Sequence, residues 1–401
     1  MHATHHESFA GYRHGIRDNL AQFLHQLVQV FLVGLTLGMM RTVVPALAES
    51  EFGVPKGSFL LLMAFVVAFG FVKGTLNFVA GRLSERLGRK TVLLLGWASA
   101  IPIPFMILYA PSWGWIVAAT VLLGMNQGFT WSMTQTAKLD ITRADQRGLT
   151  MGLNEFSGYV GVAVAGIITG YLATALGPRM GLFVFGAVVI VTALVLTALW
   201  VKETLAWAHA EGARHAAGKS MGPVPRFAQT ISGQPTTWEV FTLMSWRDKR
   251  MAALSQAGLV EKFVDALIWV VYPVYLYERG LSLAHIGWVV GVYGFVWGGL
   301  QFFTGRLSDR IGRQKPIVWG MWICGAGVAM MLAGEAVWWW IASAAVTGFG
   351  MALLYPNLSA AVADIAHPNW RGSAIGIYRF WRDLGYGIGA LLLGLVAHLT
   401  G

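Results

Sequence analysis

The stretch GFVKGTLNFVAGRLSERLGR, residues 70–89, returns as GFVWGGLQFFTGRLSDRIGR at residues 294–313. Thirteen of the twenty positions are identical at an offset of 224. The same offset superposes Asp140, Arg147, Gly148 and Gly152 on Asp364, Arg371, Gly372 and Gly376, and Trp115 on Trp339. One offset recurring in three separated regions means that the chain contains two related halves with one fold. Each copy joins an apolar run to a basic turn, so the remaining question is what the apolar runs are for.

They are long enough to cross a bilayer. The 401 residues are 56% hydrophobic and 12% charged, with a mean hydropathy of +0.59. A soluble domain carries about 25% charged residues. Runs of about 20 apolar residues, the length a membrane helix needs, fill most of the chain. Eleven spans are expected, at 20–47, 57–80, 91–109, 113–139, 148–175, 179–201, 251–277, 283–304, 316–334, 337–363 and 371–399. The 49 glycines and 18 tryptophans suit close helix packing and interfacial anchoring. Residues 1–19 read as a polar tail, with His2, His5, His6 and His14 and no signal-peptide core. Residues 202–250 read as a polar linker between an amino-terminal bundle of six spans, 20–201, and a carboxy-terminal bundle of five, 251–401.

The basic residues set the orientation. With the N-terminus in the cytoplasm, inner segments hold 20 Lys and Arg and outer loops hold three, Lys56, Arg179 and Arg279. That bias predicts a multi-pass protein of the cytoplasmic (inner) membrane with a cytoplasmic N-terminus. The net charge of +10 is split among short loops and forms no continuous face, which argues against nucleic acid as a partner. The single cysteine, Cys324, permits no internal disulfide. An even number of spans separates the copies, so the repeat is parallel, and sites in such proteins lie near the midplane between repeats. By the same offset the sixth span predicts a partner at about 403–425, beyond Gly401. The expected state is a monomer, unless a partner covers the surface that a twelfth helix would cover.

The decapeptide Gly81-Arg82-Leu83-Ser84-Glu85-Arg86-Leu87-Gly88-Arg89-Lys90 resembles the signature loop between the second and third helices of the major facilitator superfamily. Gly305 to Gln314 repeats it between the eighth and ninth spans. The resemblance implies an all-α membrane fold of two helical bundles. It also implies that the loop residues form a gate closing the cytoplasmic side: Gly81, Glu85, Arg86, Arg89, Asp140 and Arg147 in one half, and Gly305, Asp309, Arg310, Arg313, Asp364 and Arg371 in the other. Drug/proton antiporters of the family carry a Gly-Pro motif in the fifth helix and an Arg four residues before a Gly in the fourth. Here Gly158, Gly161, Gly166 and Gly170 keep the small-residue spacing without the proline, and Gly124 stands at the arginine position. Asn154-Glu155-Phe156 and Tyr378-Arg379-Phe380-Trp381-Arg382-Asp383 bear a vaguer similarity to permeases of magnetosome gene clusters.

Charges inside spans cost about 2.5–3.5 kcal/mol each on insertion scales, so each needs a reason. Arg41, Lys73, Glu155, Glu261, Lys262, Asp265, Arg379, Arg382 and Asp383 fall in the first, second, fifth, seventh and eleventh spans. None falls in the third, sixth or ninth, which the family resemblance places at the periphery. Lys138 lies near a span end, where it is expected to snorkel. Under the offset Glu155 superposes on Arg379 and Arg41 on Asp265. Opposite charges therefore occupy equivalent places in the two halves. Glu155 and Asp265 are the expected proton carriers. Arg41, Lys73 and Arg379 favour an anionic or zwitterionic solute. Asn126, Gln127, Gln135, Asn154, Gln301 and Asn357 offer hydrogen bonds, and Trp131, Trp269 and Tyr355 offer apolar walls.

Together these readings predict a proton-coupled secondary transporter for a small organic or anionic solute, with efflux one possible direction. A non-transporting sensor or assembly factor on the same fold is the alternative. No phosphate-binding glycine loop, Cys/His metal spacing or nucleophile elbow occurs, so neither enzymatic activity, nor a cofactor, nor a metal is expected.

Overall fold

The computed structural model of the chain describes residues 11–42, 47, 51–53, 59–216 and 235–400. The tail histidines His2, His5 and His6, the loop residue Lys56, the linker segment around Gly218, Pro223, Pro225 and Gly233, and the side chain of Arg41 lie outside the described residues.

The described chain is helical almost throughout, with no strand among the described residues. The first half contains α1 (Leu20–Thr42), α2 (Phe59–Leu87), α3 (Arg89–Ala100), α4 (Pro102–Leu108), α5 (Trp113–Ile141), α6 (Arg147–Leu176) and α7 (Pro178–Leu199). Two short helices follow, α8 (Leu205–Ala216) and α9 (Thr237–Thr242). The second half contains α10 (Lys249–Ala266), α11 (Tyr272–Glu278), α12 (Leu283–Ile311), α13 (Gln314–Leu332), α14 (Val337–Ile365) and α15 (Arg371–Thr400). The expected third span is thus two helices, α3 and α4, jointed at Ile101–Pro102, where proline cannot donate into the preceding turn. The expected seventh span is likewise α10 and α11, joined by a π-type turn, Leu267–Val271, ahead of Pro273.

Local sequence explains the other boundaries. Gly88 and Gly312, equivalent under the offset, end α2 and α12 with φ of 89° and 86°, a region open essentially to glycine alone. Pro356 lies inside α14 and leaves the carbonyl of Ala352 without its helical donor. The Thr304 hydroxyl of α12 donates to that carbonyl at 2.5 Å, so the helix continues past its proline.

Among the described residues, seven helical stretches are long and apolar enough to cross a membrane: those beginning at Leu20, Arg89, Ala144, Pro178, His285, Gln314 and Val337. The other four expected spans, α2, α5, α10–α11 and α15, are helical too. They carry much of the buried polar content, including Lys73, Asn77, Gln135, Glu261, Asp265, Arg379 and Asp383. The most apolar of the seven, α7, leaves Val188, Val191 and Leu199 exposed on its outer face.

Two hydrophobic cores result. One runs from Val30 to Val201. The other is built almost wholly from residues after 240, with Leu139 and Met151 contributed from the first half. Between the cores, α2 packs on α15 and α6 on α12.

Candidate functional site

These two seams position the candidate site. A Cβ added to Gly81 of α2 would lie 2.5 Å from the carbonyl of Gly372 in α15, and one on Gly70 would lie 2.8 Å from the Gly387 nitrogen. In the other seam Gly148 and Gly152 of α6 face Gly305 and Gln301 of α12, and Gly298 lies against Tyr159. Steps of seven residues keep one helix face. Moving along α12 from Gln301 to Gly294 and Gly287, or from Gly305 and Gly298 to Gly291, the seam ends: an added Cβ at 287, 291 or 294 meets no atom of the described residues within 4 Å. This seam is closed at the end bearing the loop motifs, called here the motif face, and splays toward the opposite face.

Between the seams lies a small, partly open cavity lined by Leu37, Phe69, Gly70, Lys73, Trp131, Tyr159, Lys262, Asp265, Asp383 and Tyr386. Its charges come in pairs. The Lys73 Nζ is 3.7 Å from Asp383 Oδ2 and stands over the Trp131 ring. Lys262 donates to Asp265 at 2.8 Å and stands over the rings of Trp297 and Tyr355. The Tyr293 hydroxyl donates to the other oxygen of Asp265 at 2.9 Å. Two lysines and two aspartates thus leave the lining formally neutral, with aromatic faces between the charges.

Below the cavity floor, on the motif side, a hydrogen-bonded chain joins the halves. Glu155 Oε1 accepts from Trp131 Nε1, Gln135 Nε2 and Asn154 Nδ2. Arg379 donates to the Gln135 oxygen at 2.8 Å and to Asn77 Oδ1 at 3.2 Å. The Asn77 amide donates to Asp383 Oδ2 at 2.7 Å, and Arg382 donates to Asp383 Oδ1 at 3.1 Å. Glu155 and Arg379, the opposite charges paired by the repeat, are therefore bridged by Gln135 and do not touch directly. Sequence reasoning missed Asn77, yet the repeat held the signal, since Asn77 superposes on Gln301.

Other expected residues are placed elsewhere. Asn126 and Gln127 do not reach the cavity: they bond the Gly96 and Val33 carbonyls and Thr36, tying α5 to α3 and α1. Lys138 does not snorkel. It is fully buried and donates to the Gln26 carbonyl at 2.9 Å, because α5 is enclosed on all sides at that level. Glu261 is buried and does not line the cavity.

The motif face carries a second network with twofold pseudosymmetry. Arg89 donates to Asp140 and Arg313 to Asp364, both at 2.9 Å. Across the halves Arg147 meets Asp364 at 3.0 Å and Arg371 approaches Asp140 at 3.9 Å. Asp140 and Arg147 thus do not pair within one copy. Asp309 accepts from the backbone N–H of Gly148 and Leu149, and Glu85 from that of Ser373. Both carboxylates sit at helix N-termini, where four backbone donors lack intrahelical partners. Arg86 and Arg310 are exposed.

The centre of this network is a residue that no sequence pattern singles out. Glu211, on α8, accepts from Arg147 Nη2 at one oxygen and from Arg371 Nη2 at the other, each at 2.8 Å. Those two arginines are equivalent under the repeat, so Glu211 sits on the pseudo-twofold axis. Burial alone would raise its carboxyl, but Arg371, the His215 hydrogen bond and Arg147 hold it well below the ordinary carboxylate range. Nearby, Arg214 donates to His14 Nδ1 at 2.9 Å, which leaves His14 Nε2 to donate to the Trp207 carbonyl. Burial lowers the pKa of His14, and the neutral ring fits these partners.

Comparison with known proteins agrees with this architecture. The sequence model of the Major Facilitator Superfamily matches residues 27–260 and 254–401. The chain belongs to that superfamily. It is 23% identical over 384 residues to an MFS-type transporter, STM4428, of Salmonella typhimurium strain LT2, covering 93% of this chain and 88% of the relative. The multidrug resistance protein MdtH of Shigella boydii is 30% identical over 154 residues, 35% of this chain and 38% of that protein. Among solved structures, the human organic anion transporter MFSD10 superposes with a TM-score of 0.76 at 16% identity, covering 93% of this chain and 92% of that one. The proton:xylose symporter XylE, bound to 6-bromo-6-deoxy-D-glucose, gives 0.72 at 16%, covering 95% and 90%. This superfamily member is accordingly a multi-pass membrane permease with the all-α fold of the family.

Proposed function

We propose that the protein is a secondary active transporter that moves a small organic or anionic solute through the cavity around Lys73, Lys262, Asp265 and Asp383, coupled to protons. The observation that carries this reading is the combination of a charged cavity between the two halves with a seam closed at one end and splayed at the other. Alternating access needs such a site, and two packed units that can rock about it. In this reading residues 20–201 and 251–401 are the moving units and 202–250 the linker. The motif face is cytoplasmic, as the distribution of basic residues supports, so the described conformation faces outward. The membrane is the cytoplasmic one, and the protein acts as a monomer.

The substrate class rests on the lining. Each lysine already has a carboxylate neighbour, so a solute that offers an anionic group, with or without a cationic one, exchanges partners without leaving a buried charge alone. The aromatic faces of Phe69, Trp131 and Tyr386 suit a flat apolar body. The organic anion named for MFSD10, the drugs implied by the name of MdtH and the proton-coupled sugar of XylE mark the range to be assayed. Purified protein in vesicles, given an imposed pH gradient of either sign and a labelled pentose, an amino acid, carboxyfluorescein and ethidium in turn, should move at least one of them. If no solute and no proton moves in either direction, the reading fails. If Glu155→Gln and Asp265→Asn leave the biological function intact, the non-transporting alternative replaces it.

A further inference from the structure

We propose that Glu261 is a proton-binding site, a neutral carboxylic acid in this conformation that ionises against Arg382 when the halves rearrange. Its role in coupling rests on the permease reading; its existence does not.

The argument starts from donors. Glu155 accepts from three side chains and Asp265 from Lys262 and Tyr293. Asp383 accepts from Arg382 and Asn77 and lies beside Lys73. Glu261 is fully buried, and neither of its carboxyl oxygens has a donor among the described residues. An ionised carboxylate stripped of water and given no hydrogen bond is far more costly than the protonated acid in the same place. Carboxylates that must stay charged in this interior are supplied with donors, and Glu261 is not.

The groups facing it complete the picture. On its own helix stand Lys262 and Asp265, already bonded to each other. From α15 come Arg382, Asp383 and Tyr378, and from α13 comes Cys324. Arg382 is fully buried too, and its two terminal nitrogens have no acceptor among the described residues. An acid without donors and a guanidinium with two unpartnered terminal nitrogens thus share one interior without bonding each other. They are within reach of a small movement. A Cβ added to Gly258, one turn before Glu261, would lie 2.7 Å from the Tyr378 ring and 3.3 Å from Arg382 Cβ, so α10 and α15 are in close contact beside the acid. The π-type turn Leu267–Val271, just beyond Asp265, is a place where α10 can change its winding, a feature frequent at functional sites.

The step balances simply. The O–H bond of Glu261 breaks, the proton passes to water admitted as the interior opens, and the carboxylate accepts hydrogen bonds from the free nitrogens of Arg382. No electron moves and no other reactant is needed. Under the repeat, Leu37 occupies the equivalent place in the first half, so this arrangement exists once per chain.

The test is infrared spectroscopy of the purified protein in lipid vesicles. Wild type at neutral pH should show the carbonyl stretch of a buried protonated carboxyl, sensitive to deuterium exchange and lost on alkalinisation. Glu261→Gln should lack the band, while Glu155→Gln and Asp265→Asn should keep it. A wild type without the band, or a band undiminished in Glu261→Gln, overturns the proposal. Should Glu261→Gln fail to fold, loss of the band in Glu155→Gln or Asp265→Asn would overturn it equally, and its retention in both with titration in wild type would uphold it. In the same vesicles, Glu261→Gln should keep exchange of whichever of the four solutes moves and lose its accumulation by a pH gradient. Unchanged accumulation would also overturn the coupling role. Absence of all transport by wild type defeats the permease reading and leaves the infrared result to stand by itself.

Discussion

Replacing Glu211 by glutamine should release the motif face. The carboxylate holds Arg147 with one oxygen and Arg371 with the other, each at 2.8 Å. Hydrogen bonds to charged groups contribute about 1.5–3 kcal/mol each. The side chain is 15% exposed, so solvent screening removes only part of this. Arg147 keeps Asp364 at 3.0 Å and the Ala363 carbonyl at 3.1 Å, whereas Arg371 keeps the Leu139 carbonyl at 3.4 Å and Asp140 at 3.9 Å. Glutamine preserves the volume and one acceptor, so the loss should be about 2 kcal/mol, a factor of roughly 30 in the equilibrium between closed and open motif faces. If wild type favours the closed form by about 100 to 1, the variant falls to about 3 to 1 and a quarter of the molecules open. Nitroxides at Arg86→Cys and Arg310→Cys, equivalent exposed positions, in a Cys324→Ser background would report this by pulsed dipolar spectroscopy. Glu211→Gln should add a population at longer distance, larger still in Glu211→Ala. Identical distance distributions in wild type and both variants would refute the claim that Glu211 joins the halves.

Four further outcomes are expected. Gly305→Val should open the same pair of labels, because its Cβ would overlap the Gly148 carbonyl in the closed seam; an unchanged distance would mean that the seam does not close as described. Asp309→Asn should act in the same direction by weakening the acceptor for the Gly148 and Leu149 N–H groups and for Arg313, and equal stability of the closed form would contradict it. Asp383→Asn leaves Lys73 and Arg382 without their carboxylate, a loss of about 3–5 kcal/mol for a buried pair, seen as a lower melting temperature in detergent. Acid should loosen α8 through histidines and not through Glu211. The depressed Glu211 carboxyl contributes fully above the ordinary carboxylate range and is lost only in strong acid. Burial lowers His14 and His367 below 6.5, so the unfolded chain binds their protons first as pH falls, and stability declines from that point downward. Hydrogen-exchange protection of residues 205–216, measured against the intrinsic rate at each pH, should fall between neutral pH and about pH 5.5, and His14→Gln should flatten the change.

How much of this was legible in the sequence depended on what each residue answers to. Span number, helix type and the twofold relation were legible because they follow from apolar run length and from an unbroken offset, both local or periodic properties. The joint at Ile101–Pro102 was marked by its proline, and the break at Leu267–Val271 by Pro273, though neither changes the number of crossings. The membership of the cavity was half legible. Charges in spans announce themselves by their cost, so Lys73, Lys262, Asp265 and Asp383 stood out. Tyr159 and Tyr386, which share the lining, did not, because an aromatic residue in an apolar run costs nothing and calls for no explanation. Asn126 and Gln127 illustrate the converse: polarity within a span signals a buried partner, and the partner proved to be backbone within one half. Glu211 was hidden because its meaning comes from the position of α8 over the pseudo-twofold axis, and no pattern within a polar linker encodes that position.

The repeat relation divides the molecule by task. At the motif face it preserves chemistry: Arg89 matches Arg313, Asp140 matches Asp364, Arg147 matches Arg371, and Glu85 matches Asp309. In the interior it preserves position and exchanges chemistry: Lys73 matches Trp297, Tyr159 matches Asp383, Leu37 matches Glu261, and Glu155 matches Arg379. A latch between two equivalent units is satisfied by equivalent groups, and a single carboxylate on the axis, Glu211, serves both arginines at the same distance. A site for one solute has no such requirement. Any solute lacking twofold symmetry makes different contacts with the two halves, so the lining is free to diverge, and opposite charges at matched places let each half neutralise the other while the site is empty. On this reasoning, restoring symmetry inside should be more damaging to transport than completing it at the latch. The double variant Tyr159→Asp with Lys73→Trp, which gives the first half the second half's residues, should abolish solute movement even where the protein folds, while the conservative Asp309→Glu, which makes the two latch acids identical, should leave movement intact.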